Sequence, residues 1–106
     1  MNPAHVLVAA ALALTSLAPH GTSVSIADNH FGPRKVRVGA GAAVTWTWRG
    51  SRRHDVYFIS GPAKIRSCSA QRRGTCKRRF PRPGTYDYVC TFHGSMAGRV
   101  TVVRAR

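Results

Sequence analysis

The feature that most constrains the fold is a two-residue alternation of apolar and polar side chains, which recurs in short segments from Thr22 onward. Its clearest instance is the segment 44–49, VTWTWR, where valine and tryptophan alternate with threonine and arginine. Successive side chains of a β-strand point to opposite faces, so this period predicts strands with one buried face. No window of this part of the chain has a convincing helical period, and the segments are short and separated by Gly and Pro. The sequence therefore predicts an all-β sandwich or barrel.

The same alternation predicts further strands between turn residues. They are centred on Val24 and Ile26, Val36 and Val38, Val56 to Ile59, Thr85 to Val89, and Val100 to Val103. Tyr86, Tyr88 and Cys90 fall on one face of the strand that begins at Thr85. Residues 64–79 are basic and lack the alternation, so we expect them to form the one long irregular stretch.

The first 21 residues are predicted to be a cleavable signal peptide. Val6 to Ala18 is an apolar run with the length of a secretory h-region, and it is too short to span a membrane. Small residues at its end are spaced as a signal-peptidase site requires, and cleavage near Gly21 fits equally well. We therefore expect export to the periplasm or the exterior, with residues 22–106 as one domain without a transmembrane span. The alternatives are an uncleaved membrane tether and an amphipathic helix packed on the domain.

The chain has three cysteines, and an odd number in an exported protein requires a role for the unpaired one. Cys68 and Cys76 lie close together in the sequence and have no nearby His. This favours a disulfide across a loop over a zinc site, whose paired ligands usually stand two to four residues apart. So short a loop would contribute under about 3 kcal/mol to the free energy of unfolding. Cys90 is left without a partner.

Cys90 is the first of three evenly spaced sulfur and nitrogen donors in the run Cys-Thr-Phe-His-Gly-Ser-Met, which contains His93 and ends at Met96. The run joins two predicted strands and is therefore expected to be a tight loop. Thiolate, imidazole and thioether together form a soft ligand set that selects copper over hard cations. His54, at the start of an earlier predicted strand, can supply a second imidazole. Two His, one Cys and a weak axial Met are the ligands of a trigonal electron-transfer copper site.

Each of these residues taken singly has an ordinary structural explanation. A lone Cys is usually a small buried hydrophobe, a lone Met fills a core, and a lone His makes surface hydrogen bonds. The fixed spacing of three of them at a strand–loop–strand junction, with a distant His, favours the metal site instead. The remaining histidines, His5, His20 and His30, are poorer candidates because they lie in or beside the leader or in an early turn.

In these four candidate ligands and the residues around them, the chain resembles the cupredoxins, the small blue copper proteins of the plastocyanin, amicyanin and pseudoazurin group. The resemblance spans almost all of Thr22 to Arg104 and is carried by Gly41-x-x-Val44-Thr45-Trp46, Pro83-Gly84-Thr85-Tyr86-x-Tyr88-x-Cys90 and the short Cys-x-x-His-x-x-Met loop. It implies a Greek-key β-sandwich and an electron carrier, not an enzyme.

The resemblance also implies one type 1 copper ion with a Cu(II)/Cu(I) couple. His54, Cys90 and His93 would form its equatorial plane, and Met96 would be its axial ligand. His93 would lie near the surface as the electron exit.

The chain departs from that family at two places beside His54. The family often has an Asn after this histidine, where it connects the loops, and this chain has Asp55. An ionised Asp cannot donate a hydrogen bond from its side chain, so we expect the connection to run through the backbone N–H. Arg52 and Arg53 directly precede His54, and nearby positive charge should favour Cu(I) and raise the reduction potential.

The net charge of +14, from 17 Lys and Arg against 3 acidic residues, excludes mechanisms that need paired carboxylates and predicts an anionic partner. The leading hypothesis is a monomeric carrier that meets an acidic redox partner. The second is copper storage or delivery in the cell envelope. The third is a polyanion-binding module, based on a basic run without the interleaved aromatics of nucleic-acid platforms: Arg72, Arg73, Lys77, Arg78, Arg79 and Arg82. We expect this run to support at most weak binding to anionic surfaces and no specific recognition of nucleic acid.

Overall fold

Strands account for most of residues 22–104, the part of the chain that the computed structural model describes. They are β1 Thr22–Ala27, β2 His30–Gly32, β3 Lys35–Gly39, β4 Ala43–Trp48, β5 His54–Ser60, β6 Cys68–Gln71, β7 Gly74–Arg79, β8 Gly84–Val89 and β9 Ala97–Val103. Within this range no helix is long and apolar enough to cross a membrane. The all-β prediction is confirmed, whereas the predicted signal peptide, residues 1–21, lies outside the described residues.

The strands form two sheets that pack face to face. One has the order β2-β1-β4-β7 and the other the order β3-β9-β8-β5-β6. The pairs β1–β4 and β3–β9 are parallel and the other neighbours are antiparallel. Because the chain passes repeatedly from one sheet to the other, neighbours in space are often distant in sequence. This is the predicted Greek-key sandwich.

The core lies between the sheets and is built from the apolar members of each alternation. In β4 and β8 every second side chain is buried, including Trp46, Tyr86 and Tyr88, each 0% exposed. Trp46 packs edge-on against Phe58 and Tyr88 of the opposite sheet, with ring centroids 5.7 and 5.3 Å away. Such aromatic pairs contribute about 0.5–1.5 kcal/mol each beyond the area that they bury. The strongest alternation in the sequence therefore marks the centre of the fold.

The prediction that residues 64–79 form an irregular stretch is wrong, because β6 and β7 lie within it. Each is the last strand of its sheet and has a single strand neighbour. Every residue of β7 is exposed or only partly buried, so an apolar alternation is not required there. Cys68 of β6 and Cys76 of β7 form a disulfide with an S–S distance of 2.02 Å. The bond therefore joins the edges of the two sheets and does not close a loose loop.

His30 also differs from its expected place in a turn. It is the first residue of β2 and directly follows Asn29, which has the positive φ of 75°. It is exposed and takes no part in the site described below.

Candidate metal centre

The predicted ligands meet at one end of the sandwich because three neighbouring strands begin or end there. His54 is the first residue of β5, Cys90 follows β8, and Met96 precedes β9. These strands are adjacent in the five-stranded sheet, where Val89 of β8 pairs with both Tyr57 and Ala97. The sheet register therefore brings the four residues to the same end.

Backbone hydrogen bonds fix the loop from Cys90 to Met96. The Cys90 N–H donates to the Met96 carbonyl at 2.9 Å and closes the loop at its base. Within it, the His93 N–H donates to the Cys90 carbonyl at 3.3 Å, and the Met96 N–H donates to the His93 carbonyl at 3.1 Å. Each three-residue interval of the motif is thus one hydrogen-bonded turn. This explains why the two intervals have the same length.

The donor atoms of His54, Cys90 and His93 converge. Each histidine has its Nδ1 atom 3.7 Å from the Cys90 Sγ atom, and the donor atoms all lie within 4.8 Å of one another. First-row metal ions lie about 2.0–2.3 Å from nitrogen and sulfur ligands, which separates a sulfur and a nitrogen in one trigonal plane by roughly 3.8 Å. The observed spacing therefore fits a single trigonal metal ion, and the soft donor set fits copper.

The four residues differ in burial. His54 is fully buried, and Cys90 and Met96 are each only 2% exposed. His93 is partly exposed, beside Phe92, which is 52% exposed. His93 is therefore the member of the group that a partner molecule can approach most closely.

Two contacts orient His54. Its Nε2 atom lies 3.1 Å from Asp28 Oδ1, so the ring donates to this carboxylate from Nε2 and presents the Nδ1 lone pair toward Cys90. Trp48 Nε1 donates to the His54 carbonyl at 2.8 Å and fixes the backbone. Hydrogen bonds from metal-binding histidines to carboxylates set the tautomer and the basicity of the ring. Both contacts cross between the two sheets, because β1 and β4 face β5.

Asp28, which contacts His54, is not among the site residues predicted from the sequence. Its carboxylate accepts from the Ser51 N–H at 3.0 Å, the Ser51 hydroxyl at 2.9 Å and the Arg52 N–H at 3.0 Å. The hydrogen bond from His54 and these donors hold the pKa of Asp28 well below its usual range. Gly50 belongs to the same arrangement, because a Cβ atom there would overlap the Asp28 carboxylate. Two signals were available: the chain has only three acidic residues, and Asp28 with Phe31-x-Pro33 resembles the opening strands of the family.

Asp55 connects the two ligand segments through its carboxylate. Its carboxylate accepts from the Thr91 N–H at 2.7 Å and from the Thr91 hydroxyl at 2.6 Å. One of these two donors is a backbone N–H, that of Thr91, and the ionised Asp55 carboxylate makes the connection by accepting. Asp55 follows His54 and Thr91 follows Cys90, so this contact ties the two ligands together.

Comparison with known proteins bears directly on this geometry. The model of a protein family described as copper binding proteins, plastocyanin/azurin family, matches residues 19–103. The chain belongs to this family. It is therefore a copper protein, with a donor set that fits the metal.

Relatives within the family are similar over most of their length. Amicyanin-alpha of Methylorubrum extorquens is 42% identical over 100 residues, which are 91% of this chain and 84% of that one. Amicyanin of Paracoccus denitrificans is 33% identical over 82 residues, 74% of this chain and 63% of that one. The structure of a reduced amicyanin mutant superposes with a TM-score of 0.70 at 31% identity and covers 78% of this chain and 82% of that chain. The cupredoxin fold is thus shared.

A copper-containing nitrite reductase from Thermus scotoductus has the same fold over a small part of its length. It superposes with a TM-score of 0.69 at 21% identity, and the match covers 78% of this chain but 22% of that enzyme. At this identity the likeness concerns the fold alone. It carries no argument for catalysis by this cupredoxin.

Proposed function

We propose that this cupredoxin is an exported carrier of single electrons whose copper ion is held by His54, Cys90, His93 and Met96. The observation that carries the proposal is the convergence of two imidazole nitrogens on the Cys90 sulfur, in a loop of the family's spacing. Bound copper supplies the Cu(II)/Cu(I) couple. The chain supplies a binding geometry that stays nearly the same in both oxidation states.

Rigidity of the ligands is the main contribution of the protein. The Met96 carbonyl fixes Cys90 by accepting from its backbone N–H, and Asp28 and Trp48 fix His54. The contact between Asp55 and Thr91 holds the two ligand segments together. A site that does not rearrange when an electron arrives loses little energy to reorganisation. The partly exposed His93 is then the shortest route for an electron between the buried thiolate and a docked partner.

The surface around this end favours an acidic partner. Arg52 and Arg53 are exposed directly before His54. Arg72 and Arg73 are exposed in the turn from β6 to β7, whose flanking residue Gln71 pairs with His54. A group of like charges around one site raises the local concentration of an oppositely charged partner and speeds its association. The same charge disfavours self-association, so we expect the carrier to be a monomer.

Export is supported by two features of different kinds. The Cys68–Cys76 disulfide is typical of proteins that fold in an oxidising compartment. The apolar run from Val6 to Ala18 has the length of a secretory h-region. We therefore place the protein in the periplasm or outside the cell.

The rate of electron exchange with soluble one-electron carriers tests the function. We expect the copper-loaded protein to exchange faster with an acidic carrier than with a basic one, and the difference to shrink as salt is added. Replacing Arg52 and Arg53 by Gln should lower the low-salt rate with the acidic carrier by about tenfold.

The matched control replaces Lys64 and Arg66 by Gln, because both lie in the loop after β5 and away from the copper end. Equal rate losses in the two variants would contradict docking at the copper end. Transfer of copper to an apo-acceptor without fast electron exchange would instead support a role in copper delivery.

A further inference from the structure

The outer edge of β5 is incompletely covered. On the side of β6, pairing is limited to His54 and Val56, and the loop 61–67 runs beside the rest of the strand. Tyr57 is 49% exposed and Ile59 55% exposed on this uncovered part. Phe92 is the other exposed large hydrophobic residue of the described chain, and it belongs to the copper end. Two large apolar side chains thus stand together on a surface that the copper site does not use.

Cations surround this pair. Lys64 and Arg66 are exposed on the loop 61–67, and Arg82 donates from Nη1 to the Pro62 carbonyl at 3.1 Å. The carboxylate nearest in the sheet is Asp87, which pairs with Ser60 across the strands and is neutralised by Arg99 at 2.7 Å. The other two acidic residues of the described chain, Asp28 and Asp55, are engaged at the copper end. The local surface is therefore cationic.

The chain from Tyr57 to Ser67 encloses an open cleft of about 470 Å³. Its lining includes the partly buried Ile65, between the exposed Lys64 and Arg66. We define the edge patch as six residues, Tyr57, Ile59, Lys64, Ile65, Arg66 and Arg82. An aromatic hydroxyl side chain, two isoleucines and three cations thus share one shallow surface.

We propose that the edge patch binds the headgroup layer of a membrane rich in anionic phospholipid. Aromatic side chains with a polar end are favoured at the membrane–water interface, and cations there interact with lipid phosphates. Isoleucine side chains gain from entering the acyl boundary, and the stems of Lys and Arg can lie along it. A soluble polyanion would use the cations but not the apolar residues. A second copy of the chain would bring its own positive charge against this surface.

Binding through the edge patch would leave the copper end accessible. β5 starts at His54 and runs away from the copper site, so that Tyr57 and Ile59 lie about 10 and about 17 Å along the strand at its usual rise. Phe92 and His93 lie in the loop that follows β8, at the end where β5 begins. A protein held on a membrane by the edge patch could still meet a partner at His93.

Flotation with lipid vesicles tests the proposal on the full chain. Vesicles of phosphatidylcholine alone measure any binding that does not depend on anionic lipid, including binding by the N-terminal apolar run. Vesicles that also contain phosphatidylglycerol measure the additional, charge-dependent partition. We expect Lys64→Gln with Arg66→Gln to reduce this additional partition by about 25-fold, since each cation near the surface contributes about fivefold.

Two further variants complete the test. Lys35→Gln with Arg37→Gln removes the same charge from β3, the opposite edge of the same sheet, and should change the partition by no more than about twofold because distant charges are screened. Tyr57→Ser with Ile59→Ser keeps the charge and should reduce partition by at least about tenfold. Far-UV circular dichroism verifies that each variant is folded.

Three results would overturn the proposal. Equal losses in the two charge variants would show that net charge alone drives binding. An unchanged partition after the Tyr57 and Ile59 replacements would show that the apolar side chains do not contribute to vesicle binding. Tight binding of an acidic polypeptide that requires Tyr57 and Ile59, without vesicle binding, would assign the edge patch to an acidic protein.

Discussion

At the scale of single residues, the orientation of His54 depends on Asp28. The ring is fully buried, and its Nε2 atom is held by a carboxylate that two backbone N–H groups and a hydroxyl also fix in place. This arrangement keeps Nδ1 available for metal and places a negative charge one ring away from it. Such a charge stabilises Cu(II) relative to Cu(I) and opposes the effect of Arg52 and Arg53.

Asp28→Asn should therefore weaken Cu(II) binding by about 10- to 100-fold and raise the reduction potential, because the amide keeps the shape but loses the charge. Competition titration with a chelator and redox titration measure the two quantities. The control is Asp87→Asn, which removes an equally charged carboxylate that pairs with Arg99 on the surface. Similar changes in both variants would mean that Asp28 acts only through the net charge.

The sequence predicted the residues of the site better than their contacts. Cys90, His93 and Met96 follow one another at short intervals, so the local pattern alone indicated a metal loop. The contact between Asp28 and His54 spans 26 positions, and nothing in the residues around Asp28 points to it. At Asp55 the unusual residue was visible, but the direction of its hydrogen bonds depends on Thr91, which only the fold brings close.

At the scale of elements, the predictions succeeded where a strand buries one face and failed where it does not. β4 and β8 lie inside their sheets, so their buried residues alternate strictly. β6 and β7 are edge strands: β6 is only four residues long with Ser69 and Gln71 on one face, and β7 carries basic residues on both faces. β3 is an edge strand too, but Val36 and Val38 give it an apolar period. β6 and β7 have no such period, and their pairing depends on backbone hydrogen bonds to a neighbour that the local sequence does not reveal.

The disulfide compensates for the sparse packing of these two edge strands. Its residues are 8 positions apart, so closing the loop between them restricts the unfolded chain and should contribute about 2.5 kcal/mol to the free energy of unfolding. Cys68→Ala with Cys76→Ala should lose this amount in urea unfolding of the metal-free protein. The blue absorption of the copper-loaded variant should persist, since the ligands are fixed by other contacts. Loss of the absorption would show that the disulfide also supports the copper end.

At the scale of the whole molecule, the charge is unbalanced but the few carboxylates are all used. Asp28, Asp55 and Asp87 each accept hydrogen bonds, and among residues 22–104 most Lys and Arg side chains have no ion-pair partner. The field of the molecule is therefore positive on most sides, while its acidic groups serve the copper end and one surface ion pair. The net charge of this protein predicts a partner of negative charge, whereas the loop from Cys90 to Met96 predicts the copper chemistry.

This distribution predicts how stability responds to acid. His54 and nearby donors lower the pKa of Asp28, and Arg99 lowers that of Asp87, so both carboxyls bind protons more readily when unfolded. Their contribution to the free energy of unfolding is fully present above about pH 4, the usual pKa of an unfolded Asp. It is lost progressively as the pH falls below that value. In urea unfolding of the metal-free protein, the urea concentration at the midpoint should therefore decrease as the pH is lowered below about 4. The fall should be shallower in Asp28→Asn, and an identical fall in that variant would contradict this assignment.

The visible spectrum of the copper-loaded protein, compared with that of Cys90→Ser, tests the central claim most directly. The other two cysteines are joined to each other, so Cys90 is the thiolate available for copper. We predict an intense blue thiolate-to-copper absorption in the wild type, its loss in Cys90→Ser, and its retention in Cys68→Ala with Cys76→Ala. A colourless copper complex of the wild type, or a blue band that survives in Cys90→Ser, would contradict the account.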